Sequence, residues 1–258
     1  MITQNKLNPL YPVELITNGK SHFYKLGDGD LWFPGVTTVL QMIAKPALIQ
    51  WSSNMACENI KEYLMENALN KPLTKEEIEK ACLEGKNIYK KKAEAQADIG
   101  TKVHKAIDSL IKGDILEITD EIKPAIEGFI NWNDSNDLTI EFGDTKIGSK
   151  VFGYGGSLDM VAFNKSNEAI LVDFKTTRRR KDAEHGIYAE AAFQLAAYKA
   201  AFQETYGVPV KEVYALWLNK EKPEFKPVKI ENTNVCFEGF LSALKLYQLS
   251  KYDLFKLQ

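Results

Sequence analysis

Two apolar segments separated by five polar residues constrain this chain more than any other feature. "KVFGYGGSLDMVAF" ends at Phe163, "AILVDFKTT" begins at Ala169, and "NKSNE" between them is made of turn formers. Apolar runs of this length read as strands, and a five-residue turn lets them pair antiparallel. Residues two apart on a strand share a face, so Asp173 and Lys175 point the same way as Leu171. Asp159, on the preceding strand, can then converge with them. Two carboxylates held ~4 to 6 Å apart repel each other, and a divalent cation between them relieves the repulsion. Hard oxygen ligands with few thiols or imidazoles point to Mg²⁺ or Mn²⁺ rather than zinc. Such a site activates water and neutralises a phosphate, while the lysine orients the nucleophile or stabilises charge on phosphorus. A strand-end salt bridge between Asp173 and Lys175 accounts for that pair on its own equally well.

The rest of the chain supplies a frame for these strands. Residues 11 to 33 read as a small β-meander with turns at Asn18-Gly19 and "GDGD". Lys45-Pro46 suits a helix start, followed by helical apolar spacing at Leu48, Trp51, Met55, Ile60 and Leu64. Thr74 and Glu77 stand in capping-box spacing. The stripe Ile99, Val103, Ile107, Leu110, Ile111 carries helix on to a stop at Gly113. One further helix spans roughly 121 to 132, and strands begin at Thr139. Helix returns over 183 to 206, then "EVYALWLN", a hairpin partner "FKPVKI" and a terminal helix from about Asn232. The 258 residues, 45% of them hydrophobic, suffice for one large core. The expectation is a single α/β (α+β) domain over 1–258: a β-meander and helical part over 1–92, and a core over 93–258 with a central mixed sheet flanked by helices.

A net charge of −2, from 33 basic and 35 acidic residues, gives no overall field for nucleic acid or membrane, so an anionic partner must meet a local patch. The three cysteines, Cys57, Cys82 and Cys236, fit neither a disulfide framework nor the ligand spacing of an iron–sulfur cluster, and no cluster is expected. The first residues lack the pattern of a signal peptide, and no apolar run approaches ~18 residues. The expected location is cytoplasmic, in a bacterial host cytosol or nucleoid, without a membrane.

An Asp at one strand end, a short turn and an apolar strand ending "DFK" resemble the PD-(D/E)XK nuclease superfamily, and more closely its RecB-like exonuclease branch. "GTKVH", Gly100 to His104, looks like that branch's helical histidine motif. "EF", Glu141 and Phe142, sits where the first acidic residue is expected; "GGSLD" and "DFKTT" look like the second and third motifs, and "QLAAY", Gln194 to Tyr198, like the fourth. "FPGVTTVL" is similar to a segment of phage and prophage members that reads Pro-Ser-Val-Thr-Thr; here Gly35 replaces the Ser, beside Thr37 and Thr38.

The resemblance implies a restriction-endonuclease-like core and a metal site of His104, Asp159, Asp173 and the Phe174 main-chain carbonyl, filled by Mg²⁺ or Mn²⁺. It implies catalytic roles for Asp159, Asp173, Lys175, Glu141 and Gln194, with Asp144 a close competitor of Glu141. Tyr198, Thr37, Thr38, Thr176 and Thr177 are expected at DNA. Arg178, Arg179 and Arg180 leave the proposed centre directly and can hold a phosphodiester backbone while releasing counterions, although a charge run is also a solvated surface. Taken alone, His104 reads equally as a core-edge residue beside Val103 and Ile107. Trp32, Phe33 and Trp51 can stack on unpaired bases or pack in the core. The expected activity is a metal-dependent DNA exonuclease in phage or bacterial recombination, alongside a recombinase or single-strand-binding protein. An endonuclease with the same site, or a catalytically silent nucleic-acid-binding module, are the alternatives.

Overall fold

The computed structural model describes residues 7–19, 21–67, 72–114, 118–177 and 189–251. Arg178, Arg179 and Arg180 lie outside the described residues, as does the start expected for the helix over 183 to 206. The order of elements is β1 (Val13–Asn18), β2 (Ser21–Leu26), β3 (Trp32–Pro34), α1 (Val36–Leu40), α2 (Pro46–Asn67), α3 (Lys75–Lys112), α4 (Lys123–Ser135), β4 (Thr139–Ser149), β5 (Tyr154–Phe163), β6 (Ala169–Thr177), α5 (Ala189–Tyr206), β7 (Val210–Asn219), β8 (Phe225–Lys229) and α6 (Thr233–Leu249).

The described chain forms two compact units, Ala44–Thr101 and the remainder, Met1–Ile43 with Lys102–Gln258. Helix α3 runs unbroken for 38 residues. Its start is fixed by the expected capping box: Glu77 N–H donates to Thr74 Oγ1 at 3.2 Å, and Thr74 N–H to Glu77 Oε2 at 2.8 Å. Its end is Gly113, whose φ of +75° closes the last turn. In the helical unit, Gly85 admits Ile60, which a Cβ there would strike. Met55, Ala81 and Ile99 are buried. Leu48 and Trp51 are exposed, so the apolar spacing of α2 is covered only from Met55 on.

The other unit holds two sheets, an antiparallel β1-β2-β3 and a five-stranded β4-β5-β6-β7-β8. β6 and β7 pair in parallel while their neighbours pair antiparallel, giving the expected mixed sheet. A parallel pair needs a long crossover, and α5 supplies it. Val161, Leu171 and Val213 from the strands share a core with Leu195 and Phe202 of α5 and Phe240 of α6. Each such side chain contributes ~1.5 to 3 kcal/mol by leaving water. On β6 this burial covers Ala169 to Phe174 without interruption, and Asp173, at 2% exposure, is buried with them. In the small sheet, Trp32 on edge strand β3 stays 54% exposed and Phe33 half-buried. Core packing therefore claims neither Trp32 nor Trp51.

Candidate active site

The β5–β6 ladder ends at Met160 opposite Val172. Asp159 and Asp173 are the next residues out, where the strands part. A strand leaving its ladder exposes an amide, and Asp159 Oδ2 accepts that of Phe174 at 2.7 Å. Its other oxygen, Oδ1, meets His104 Nδ1 at 3.1 Å, so helix α3 reaches the fork through the residue expected at the edge of its buried stripe. The His104 ring also meets the edge of Phe174, centroids 5.8 Å apart. Four elements thus converge once α5 is included. Lys175 Nζ lies 2.5 Å from Asp173 Oδ2 and donates to Gln194 Oε1 at 3.0 Å. Gln194 Nε2 donates to the Tyr198 hydroxyl at 2.9 Å and, more weakly, to Asp173 Oδ1 at 3.5 Å.

Burial dominates the electrostatics. It pushes the Asp173 carboxyl up to about 6, opposed by the Lys175 charge and aided by Asp159. Burial also works against the His104 imidazolium, yet the Asp159 hydrogen bond and the charges of Asp159 and Asp173 outweigh it, and the pKa is raised. Lys175 is likewise raised, burial being overcome by Asp173. The Tyr198 hydroxyl is held neutral by burial and by the nearby Asp173 charge.

The Asp159 strand is seated by two aromatic rings. A Cβ on Gly155 would run into Tyr24 of β2, and one on Gly156 into Tyr198. The Tyr24 hydroxyl bonds Ser157 Oγ at 3.1 Å. Gly155 also bridges Gly35, joining the small sheet to β5. Sequence reasoning missed Tyr24 and Ser157, and the adjacent glycines of "GGSLD" were the available signal.

The family model of the PD-(D/E)XK nuclease superfamily matches residues 119–249. The chain belongs to that superfamily. No curated protein is a match. A solved structure described as "Crystal structure of SSO0001" is similar over 77% of this chain and 75% of its own, at 14% identity and a TM-score of 0.36, too slight a likeness to argue from.

Members of this nuclease superfamily generally use divalent metals such as Mg²⁺. Among the described residues no three His, Cys, Asp or Glu side chains stand as a finished cation cage. The donors fit such an ion in kind: His104 Nδ1 and Asp159 Oδ1 share one proton that a cation would displace, and Asp173, buried beside them, carries a carboxyl that a cation would favour in its charged form. Phe174 itself stands between Asp173 and Lys175 on β6.

Other positions singled out in the sequence are not drawn in. Glu141 Oε1 accepts the Leu7 amide at 3.0 Å and lines a cavity of about 440 Å³ with Phe163 and Lys165, at the other end of β5. A register shift between Ile140 and Phe142 separates it from the fork. The ladder runs through Gly143–Met160 and Thr145–Leu158, which sets Asp144 opposite Asp159; there Asp144 pairs with Lys146 at 2.6 Å. Thr37 is exposed and Thr38 half-buried on α1, and Thr176 is half-buried beyond Lys175 on β6. Of Thr177 only the strand position is described. Gly35 is explained sterically: a Cβ would lie 3.1 Å from the His22 carbonyl and 3.2 Å from the Tyr24 ring.

Proposed function

We propose that the chain is a metal-dependent deoxyribonuclease, acting as an exonuclease on DNA ends, in phage or bacterial DNA recombination. The observation that carries this reading is the junction of Asp159, Asp173, Lys175, Gln194 and His104, drawn from α3, β5, β6 and α5 into one hydrogen-bonded set. When bound, a divalent cation such as Mg²⁺ or Mn²⁺ supplies Lewis acidity toward water and phosphate. His104, Asp159, Asp173 and the Phe174 carbonyl are the residues that would hold it. Lys175, fixed by Gln194, presents a positive charge where negative charge grows on the phosphate oxygens. Gln194 spans Lys175 and Tyr198 and so orients both.

Arg178, Arg179 and Arg180 follow Thr177 in the chain and are read as backbone contacts, together with Tyr198, Thr176, Thr177, Thr37 and Thr38. Replacing the three arginines with Ala should weaken DNA binding and flatten its salt dependence by close to one unit per lost phosphate contact. Glu141 is retained as a supporting residue, with Asp144 its competitor.

The deciding assay compares end-labelled linear DNA with closed circular DNA, in Mg²⁺, in Mn²⁺ and in EDTA, beside Asp173→Ala. Metal-dependent loss of the linear substrate alone, abolished in the variant, is the expected result. Cutting of circles would make the protein an endonuclease, and binding without cleavage under every condition would make it a silent nucleic-acid-binding module.

A further inference from the structure

A row of three residues crosses the large sheet from the site to its edge. The β6–β7 register holds without a shift from Ile170–Glu212 to Thr177–Asn219, and in it Lys175 pairs with Trp217. The β7–β8 register holds from Tyr214–Lys229 to Leu218–Phe225, and in it Trp217 pairs with Lys226. Register partners project from one face of a sheet, so Lys175, Trp217 and Lys226 share the face that Leu171, Val213 and Ala215 turn to the core beside Leu195 of α5. The inner end of the row is the site's lysine, bound to Asp173 and Gln194. Its middle is an indole ring only 8% exposed. The outer end, Lys226, is exposed on an edge strand none of whose five residues is buried. Strands lie ~4.8 Å apart, which sets the two lysine backbones roughly 10 Å apart. A flexible four-carbon stem lets the outer ammonium range over much of that span. Edge lysines also guard a sheet against pairing with another chain, and Lys229 at the other end of β8 suits that duty, tied at 2.8 Å to Glu212. Lys226 differs in sharing its row with Lys175.

We propose that Lys226 binds a backbone phosphate of the nucleic acid next to the one served by Lys175, so that the substrate strand crosses the sheet along the Lys175–Trp217–Lys226 row. The proposal rests on the nuclease reading above. Lys226 is then a binding residue and takes no part in the chemical step. A compact ammonium on a mobile stem suits a phosphate on any nucleotide, and the contact carries no base preference.

The test compares wild type with Lys226→Gln and with Lys229→Gln, which removes the same charge from the same strand. Fluorescence anisotropy follows binding of a labelled oligothymidine and of a labelled duplex in Ca²⁺ across a salt series, and cleavage is then timed in Mg²⁺. Lys226→Gln should flatten the salt slope by close to one contact, and at a slope of ~0.9 per phosphate this raises Kd roughly eightfold for each decade of salt below 1 M. KM should rise in step while kcat stays within about twofold. Lys229→Gln should bind as wild type does. If wild type binds DNA and Lys226→Gln matches it in Kd and in slope, the proposal is overturned and the nuclease reading stands. Equal losses in the two variants also overturn it, because a diffuse charge effect does not depend on the row. If wild type neither binds nor cuts DNA, both fall together.

Discussion

Asp159 is tied to the backbone of the neighbouring strand: its Oδ2 accepts the Phe174 amide at 2.7 Å, between Asp173 and Lys175. One carboxylate thus closes the fork where the β5–β6 ladder stops, and its other oxygen faces His104. Asp159→Asn can still accept from Phe174, so it should fold normally and lose cleavage by at least about a hundredfold, a result typical of losing charge in such a site. Asp159→Ala removes the acceptor too and should cost a further ~1 to 3 kcal/mol in urea denaturation. Equal stability of the two variants would mean the Phe174 bond is unimportant.

The Lys175–Asp173 pair is nearly out of water on the aspartate side, with Asp173 3% exposed at its side chain and Lys175 26%. Breaking such a pair from one side leaves a buried charge. Lys175→Met should abolish cleavage and destabilise by up to ~3 kcal/mol, and adding Asp173→Asn should restore most of the stability but none of the activity. Cleavage by Lys175→Met at wild-type rate would remove the lysine from the chemistry.

Gly156→Ala places a methyl against the Tyr198 ring. Overpacking of this kind costs ~1 to 3 kcal/mol. Because Tyr198 accepts from Gln194, and Gln194 from Lys175, the displacement should also lower kcat. Thermal unfolding and single-turnover cleavage test both parts, and an unchanged melting temperature would contradict the contact.

Glu212 provides a pH signature away from the site. Lys229, at 2.8 Å, and then the Tyr214 hydroxyl, at 2.8 Å, hold its carboxyl below the ordinary value of 4.5. Since the folded pKa is the lower one, this group's stabilisation is complete above the unfolded value and disappears as pH falls through the folded one. Wild type should therefore exceed Glu212→Gln in urea midpoint at neutral pH, by no more than ~1 kcal/mol for so accessible a pair, and the two should converge toward pH ~3. A constant gap across that range would assign the effect to packing.

Much of this architecture was legible from local patterns. The capping box at Thr74, the stop at Gly113, the turn at Asn164 to Glu168 and the alternation that aligns Asp173 with Lys175 depend on neighbours within a few residues, so periodicity and turn chemistry expose them. Asp159 was legible for the same reason, being one short turn from Asp173. Glu141 and Asp144 were not separable, because the register shift at Ile140/Phe142 decides which carboxylate lies across from Asp159. The exposure of Trp32 and Trp51 was equally hidden, since aromatic rings look alike in sequence whether a neighbour covers them or not.

The sequence by itself determined the strand–turn–strand unit, the helical face that carries His104, and the residue types able to serve a hard cation and a phosphate. Only the tertiary structure decided that Tyr24 and Tyr198 occupy the space left by Gly155 and Gly156, that Gln194 reaches Lys175, and that Trp217 stands in register with Lys175. Those relationships join residues 19 to 131 positions apart, set by sheet register and by where α5 packs. Local hydrogen-bonding preferences cannot encode contacts whose partners are chosen by the burial of a whole face.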